Sequence, residues 1–464
     1  MHKIGKQLFT NMSLAQEYKD CLEYINQYWD KVIHDPKDSQ GDPHVIPLPN
    51  AFLTPNGGSH WKNSMFYWDS FFMIRGIIDT DRDWVIPEVV DNFTYLFNQF
   101  GIMPNASIWA FLGHSQPPFF SSMIFDAYYA MQRGPAAKHG LGKSPFIRHW
   151  LKNRIEIAKD EYWQVWEDAK TYTHKVESFG LSRYGDRDVG YPLTSERESG
   201  WDFTTRFYNR CNEFLPVDLN AYLHKYEKDF AKAANILEDK TEETYWEERA
   251  KKRHETMKKY MWNEKAGFFF DYDYKNNVQS EFYSLAGFVP LWAKLATFEE
   301  AKRAKEKLSL FETDYGLTIT AKISLPEPAN FDQIPKAFRV SIQELMAPKQ
   351  WDYPHIWPPL EYLTVIGLLR YGFIDDAVRI MTKSVKANYQ VFQKYGALLE
   401  KIDATTGEKP KNFWYPTQLG FGWTNAIFYR FLKILELIEE KQGNIFSETA
   451  LQNGPPYSLT GVLH

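Results

Sequence analysis

The feature that most constrains this chain is a helical hydrophobic period that returns in pairs of segments. Within each segment, apolar residues recur three or four positions apart, as they do along the buried face of an α-helix. The paired segments are Phe66–Ile78 with Pro87–Phe100, Phe119–Met131 with Phe146–Trp166, Asp218–Leu237 with Thr241–Trp262, Phe282–Leu295 with Phe298–Leu310, and Pro359–Tyr371 with Ile374–Tyr389. A first helix opened by Ser13 and a last helix after Thr424 remain, and pairing these two predicts a closed ring of six hairpins.

The two members of a pair often differ in polarity. The first is apolar on every side, as in LEYLTVIGLLRYG, whereas the second, DDAVRIMTKSVKANYQ, carries charges on one face. A helix that is apolar all round needs burial, and an amphipathic helix suits the exterior. We therefore predict an all-α fold, an (α/α)6 barrel with six inner and six outer helices. Periodicity alone leaves an irregular array such as a solenoid open, although no residue-level repeat of about 30 to 50 residues is present.

Length and cysteine usage set the expected organisation. The 464 residues contain no Pro-, Gly- or Ser-rich linker, so we expect residues 1–464 to form a single domain. Two cysteines are too few for disulfides to stabilise a chain of this length, which fits a reducing compartment. The N-terminal residues lack the apolar core of a signal peptide, and no run approaches the roughly 18 apolar residues of a membrane span. We expect a cytoplasmic protein with no membrane partner.

Charge and motif content argue against several function classes. The net charge is −5 and basic residues are interspersed with acidic ones, which disfavours a nucleic-acid partner. No His-Glu-x-x-His, Gly-x-Ser-x-Gly or Gly-x-Gly-x-x-Gly motif occurs. The GLGKS segment resembles a phosphate loop, but Ala137 occupies the first glycine position. We therefore expect neither a metal nor a cofactor.

Long stretches rich in Gly, Pro, Asp and Trp precede several predicted inner helices. Long loops in a compact domain usually carry function, and these could converge on one mouth of a barrel. Three Trp-Asp pairs lie at such junctions: Trp68-Asp69, Trp201-Asp202 and Trp351-Asp352. A ring beside a carboxylate can stack on a sugar and accept its hydroxyl protons. The three pairs favour a sugar-binding mouth over the alternative of core packing plus helix caps.

Cleavage of a glycosidic bond needs one protonated carboxyl and one ionised carboxyl. Asp202, within ESGWDFTTRF, has aromatic neighbours that suit an acid of raised pKa. An N-cap role for Asp202 is an equal alternative. For Glu400, within ALLEKID, the local sequence favours a solvated charge, so the residues alone do not select it.

Seven segments, read together, resemble the signature blocks of the trehalases, glycoside hydrolase family 37. They are MFYWDSFFMIRG, HSQPP, ESGWDFTTRF, DLNAYL, QWDYPHIWPPLEY, EKID and GFGWTN, and they follow the family's order over most of the chain. The resemblance implies an (α/α)6 barrel that hydrolyses α,α-trehalose, a small-molecule disaccharide, with inversion and without a cofactor. It implies that Asp202 is the general acid and Glu400 the general base, which inverting enzymes hold about 6.5–9.5 Å apart.

The resemblance also implies a set of sugar-contacting residues. The expected positions are Phe66, Trp68, Asp69, Asn105, His114, Gln116, Lys175, Glu177, Gly200, Trp351, Asp352, Trp414 and Trp423.

Several of these positions depart from the family pattern. His114 and Lys175 stand where the family has Arg, and Phe66 replaces a Tyr. Trp414 replaces a Glu, and Ser59 lies near the place of another missing Arg. Arg is not equivalent to Lys or His at a bidentate contact. Two alternatives therefore stay open: a hydrolase of another small α-glucoside or glycosylated polyol, and a sugar-binding relative without catalysis.

Overall fold

A computed structural model describes residues 14–58, 62–133, 145–185, 192–322, 348–411 and 415–440. Its α-helices, in chain order, are α1 (Leu14–Glu17), α2 (Lys19–Val32), α3 (Tyr67–Ile77), α4 (Val85–Phe100), α5 (Phe120–Arg133), α6 (Pro145–Glu161), α7 (Pro192–Glu198), α8 (Val217–Leu237), α9 (Lys240–Met261), α10 (Val289–Trp292), α11 (Phe298–Lys305), α12 (Pro358–Arg370), α13 (Ile374–Tyr395) and α14 (Gly422–Glu440). A π-helical turn, Tyr162–Trp166, extends α6.

Six of these helices form a closed inner ring. Helix α3 packs on α5, α5 on α8, α8 on α10, α10 on α12, α12 on α14, and α14 returns to α3. Outer helices lie against this ring: α2 on α14, α4 on α5, α6 on α5 and α8, α9 on α8, and α13 on α12 and α14. The prediction of an all-α (α/α)6 barrel is confirmed.

Burial follows the polarity difference between the paired segments. Every residue of α3 and of α12 is buried. Helix α9, by contrast, buries a single stripe that includes Trp246, Ala250 and Met257. At the closure of the ring, α3 and α14 meet so closely that a Cβ on Gly76 would lie 2.6 Å from the Cα of Ala426. A residue with a side chain would separate these two helices at that point.

One predicted inner helix is shorter than expected. Within 282–295 the chain forms a 3-10 turn, Leu285–Phe288, followed by the single helical turn α10. Ser284 makes an antiparallel bridge with Thr320, which takes the start of the segment out of the helix. Pro290 lies in the first turn of α10, where its missing N–H costs no hydrogen bond, and the helix begins there.

Short antiparallel strands lie between the helices. They are β1 (Ile33–His34), β2 (Phe52–Leu53), β3 (Lys175–Val176), β4 (Leu181–Ser182), β5 (Phe214–Leu215), β6 (Trp262–Asn263), β7 (Phe268–Phe269), β8 (Tyr272–Asp273), β9 (Val278–Gln279), β10 (His355–Ile356) and β11 (Ile402–Asp403). The aromatic segment GFFFDYDYKN contains β7 and β8. The pairing of β10 with β11 matters most for the site, because it holds the Glu400 segment against the loop after Trp351.

None of the helices within the described ranges is long and apolar enough to cross a membrane.

Candidate active site

A cavity of about 370 Å³ opens at the N-terminal ends of the inner helices α3, α12 and α14. This volume lies within the usual range of small-molecule sites. The lining residues come from the first turns of α3 and α14, from the end of α7 and from the loops that precede the inner helices: Pro55, Phe66, Trp68, Asp69, Asn105, Phe111, His114, Gln116, Arg197, Gly200, Asp202, Trp351, Trp357, Glu400, Tyr415, Gln418, Phe421 and Trp423. The described parts of the loops that we predicted to converge therefore meet at one mouth, and residues 186–191, 323–347 and 412–414 of these loops lie outside the described residues.

Most of the predicted site residues meet in this cavity. They are Phe66, Trp68, Asp69, Asn105, His114, Gln116, Gly200, Asp202, Trp351, Glu400 and Trp423. Trp414 and Ser59 lie outside the described residues.

Indole rings form a continuous aromatic wall of the cavity. Trp351 stacks on Trp357 with centroids 4.0 Å apart and planes 9° apart, and on Trp201 at 5.8 Å and 20°. Trp68 lies 5.6 Å from Trp351, and Trp423 lies 5.8 Å from Trp357. Gly200 completes the wall. Its φ of +76° and a distance of 2.7 Å from a built Cβ to the Trp68 ring leave no room for another residue.

Asp202 lies four residues after the end of α7 and is exposed to the cavity. Enclosure by the cavity walls raises the pKa of Asp202 to about 7. The Arg197 guanidinium opposes this rise, whereas the negative charges of Glu196 and Glu400 add to it. A carboxyl with this pKa holds a proton near neutral pH and can deliver it to a substrate oxygen.

Glu400 lines the same cavity from the segment just before β11 and is 2% exposed. One carboxylate oxygen pairs with the Lys401 ammonium at 2.9 Å, and the other accepts the Tyr415 hydroxyl at 2.8 Å. Its backbone is fixed as well, because its N–H donates to Gln418 O and its carbonyl accepts from Trp423 Nε1. The carboxylate is therefore held in one orientation with its charge compensated.

A third carboxyl, that of Asp69, shares the cavity and is 5% exposed. Burial, together with the charges of Asp202 and Glu400, raises the pKa of Asp69 to about 8. The Gln116 amide and the backbone N–H of Asp69 oppose the rise. The Gln116 side-chain oxygen in turn accepts the Trp68 N–H at 2.9 Å, which ties the start of α3 to the cavity wall.

The structure places Lys175 and Glu177 outside the cavity lining. Lys175 is in β3, where its ammonium pairs with Glu167 at 2.6 Å and donates to Gly180 O at 2.9 Å. Glu177 is exposed in the hairpin turn that follows β3. The Lys175 charge is therefore used within the protein, and neither side chain is positioned to touch a ligand in this cavity.

Asp352 also lies outside the lining, although it follows Trp351. Its buried carboxylate accepts the Thr204 hydroxyl at 2.7 Å, the Thr205 N–H at 3.0 Å and the Lys349 N–H at 2.8 Å. These bonds anchor the turn just after Asp202. The structure thus gives Asp352 a positioning role instead of a sugar contact.

Sequence reasoning missed several lining residues: Pro55, Phe111, Arg197, Trp357, Tyr415, Gln418 and Phe421. Arg197 belongs to the same acid-bearing segment as Asp202, and Tyr415 and Gln418 belong to a loop that composition had marked as functional. Within the described ranges, no group of three His, Cys, Asp or Glu side chains is arranged to hold a metal ion.

Comparison with known proteins gives a consistent result. The family model described as Trehalase matches residues 2–190 and 188–436. The periplasmic trehalase of Salmonella newport (strain SL254) is 27% identical over 446 residues, covering 90% of this chain and 73% of that protein. The structure of neutral trehalase from Saccharomyces cerevisiae matches with a TM-score of 0.67 and 25% identity, over 96% of this chain and 84% of that one.

A more distant structure shares the fold alone. The GH63 mannosylglycerate hydrolase of Thermus thermophilus superposes with a TM-score of 0.62 at 15% identity, over 88% of this chain and 99% of that one.

The expectation of a cytoplasmic location is contradicted by the Salmonella relative, whose name places it in the periplasm. The expectation rested on cysteine usage and on the lack of a signal-peptide or membrane-span pattern. A chain of 464 residues buries enough apolar surface to fold without disulfides in any compartment, so the cysteine count could not decide the location.

Proposed function

Because this chain belongs to the trehalase family and is therefore a glycoside hydrolase, we propose that it hydrolyses α,α-trehalose to glucose with inversion. Asp202 is the general acid and Glu400 the general base. The observation that carries the assignment is one cavity with two unlike carboxyls. Asp202 has a pKa of about 7, and Glu400 is fixed by Lys401 and Tyr415.

The reaction follows from these two environments. Asp202 donates its proton to the oxygen that bridges the two glucoses, and the bond from that oxygen to the anomeric carbon breaks. A water molecule attacks the same carbon from the opposite face, and Glu400 takes the proton that this water loses. One β-glucose and one α-glucose leave, and proton exchange with solvent restores both carboxyls.

Other lining residues suit sugar recognition. The indole wall offers flat apolar surface for stacking against glucose rings. Asp69, which holds a proton near neutral pH, can both donate to and accept from sugar hydroxyls. Asn105 and His114 add buried polar groups to the same wall. We propose these residues, with Phe66, Gln116 and Gly200, as the substrate-binding set.

The same proposal covers the organisation of the chain. We propose one catalytic domain, supported by a hydrophobic core cluster that runs from α1 to α14. A disaccharide is the partner that the family implies. The absence of a nucleic-acid partner stays a prediction from the charge distribution.

The first experiment is glucose release from α,α-trehalose by the purified protein, with Glu400→Gln and Asp202→Asn beside it. Glu299→Gln is the matched control, since Glu299 is exposed in α11, away from the cavity. Proton NMR of the first turnovers should show α- and β-glucose in equal amounts. Two α-glucoses would contradict inversion, and full activity in Asp202→Asn would contradict the role of Asp202.

A further inference from the structure

Arg197 lies in the last turn of α7 and lines the cavity beside Asp202. Its guanidinium carbon stands 6.0 Å above the Phe203 ring, and the side chain is exposed. Of the charges around Asp202, that of Arg197 has the largest influence on the carboxyl. The guanidinium is therefore held next to the group that meets the bridging oxygen of a bound disaccharide.

No hydrogen bond or ion pair joins the Arg197 guanidinium to any of the described residues. Within the described residues, every other arginine forms an ion pair or donates a hydrogen bond. Arg206, four residues beyond Asp202, binds both Asp218 and Asp271 with 2.6–2.8 Å bonds. A guanidinium carries five N–H donors. The Arg197 side chain lines the cavity, where a bound sugar could accept from them.

Arg197 is also the one Lys or Arg side chain among the described lining residues. At two described positions where the family has an Arg, this chain brings no long basic side chain into the cavity. Lys175 is bound to Glu167 outside the cavity, and His114 is shorter than the Arg it replaces.

We propose that Arg197 binds the hydroxyls of the leaving glucose and so determines which leaving group this enzyme accepts. The inference rests on the proposed function, because it takes Asp202 as the acid. A side chain beside the acid meets the departing sugar, since the acid touches the bridging oxygen and the base works from the opposite face.

The test compares two substrates that share the glucose to be attacked but differ in the leaving group. α-Glucosyl fluoride releases fluoride, which carries no hydroxyls and needs no proton from the acid. Water attacks the anomeric carbon, the C–F bond breaks, and Glu400 takes the water's proton. We expect Arg197→Ala to lower kcat/KM for trehalose about 10- to 100-fold, the range for a lost hydrogen bond to a charged group. With α-glucosyl fluoride the same variant should stay within about twofold of wild type.

Two further variants complete the design. Arg197→Lys should recover part of the trehalose activity, because it restores the charge without the fork geometry. Arg148→Ala removes an arginine that is paired with Glu238 outside the cavity, and it should leave kcat/KM unchanged for both substrates.

The outcomes separate this inference from the proposed function. Equal losses on both substrates, or no loss on trehalose, would overturn the role of Arg197 while leaving the enzyme a trehalase. Wild-type protein that cleaves the fluoride but not trehalose would contradict the proposed substrate. The Arg197 variants would then be compared on whichever α-glucoside of a disaccharide panel is cleaved, and an unchanged rate there would overturn the inference. If no disaccharide were cleaved, both proposals would fail.

Discussion

The two walls of the cavity hold their carboxyls in opposite ways. On one wall, Lys401 and Tyr415 bind the Glu400 carboxylate itself. On the other, the Asp202 carboxyl receives no hydrogen bond from the described residues, and only the backbone around it is anchored. Asp352 binds Thr204 and Thr205, and Glu196 accepts the Thr204 N–H at 3.3 Å. The comparison suggests how two carboxyl groups can serve as general base and general acid in one cavity. A base needs a fixed charge, whereas an acid needs oxygens that remain free for the substrate.

The largest expected effect is the difference in activity between variants of the two catalytic carboxyls, Asp202 and Glu400. Asp202→Asn and Glu400→Gln should each lower kcat for trehalose about 10²- to 10⁴-fold, the usual contribution of general acid–base catalysis. With α-glucosyl fluoride, Asp202→Asn should regain near wild-type turnover because fluoride needs no protonation, while Glu400→Gln should stay inactive. Steady-state kinetics on both substrates measures this. If both variants recovered, or neither did, the assignment of acid and base to separate walls would be lost.

Replacing Lys401 removes one of the two side chains that bind the Glu400 carboxylate directly. Both partners of this ion pair are 3% exposed, and breaking a buried pair leaves an uncompensated charge. We expect Lys401→Met to lower the free energy of unfolding by about 3–5 kcal/mol, measured by urea denaturation, and to reduce kcat. Tyr415→Phe removes one hydrogen bond from an uncharged donor to the same carboxylate and should cost about 1.5–3 kcal/mol. Equal costs for the two variants would mean that the charge of Lys401 has no special part.

The fold was predictable because polarity and period agree along the inner and outer helices. α12 and α13 follow the predicted segments closely. The prediction failed at 282–295, where a bridge to Thr320 and the position of Pro290 override the helical period.

At the site, the local sequence pattern correctly predicted the residues whose positions depend on local structure. Asp69 and Asp202 lie in the cavity as their Trp-Asp pairs predicted. Asp352 shows the same Trp-Asp pattern, but its carboxylate accepts the backbone N–H of Thr205, which lies 147 residues earlier in the chain. Glu400 could be selected only through the family resemblance, because its partner Tyr415 comes from a separate loop.

The indirect anchoring of the acid can be weakened at Asp352. We expect Asp352→Asn to cost about 1–3 kcal/mol of unfolding free energy, since it replaces one of the two oxygens that accept from three buried donors by an NH₂ group, which cannot accept. Activity on trehalose should fall more than activity on α-glucosyl fluoride, because the turn that carries the acid loosens. A variant that lost both activities equally would show that Asp352 supports the whole cavity and not the acid wall in particular.

The smallest effects concern the charges that tune Asp202. The acid must be protonated, so kcat/KM should fall as the pH rises through the pKa of about 7. The Glu196 charge raises this pKa and the Arg197 charge lowers it. Glu196→Gln should therefore move the alkaline limb of the pH profile to lower pH, and Arg197→Ala should move it to higher pH. The second shift keeps more of the acid protonated at neutral pH, so a loss of trehalose turnover in Arg197→Ala cannot come from deprotonation of Asp202. Limbs that stay in place in both variants would mean that the cavity walls alone set the pKa of Asp202.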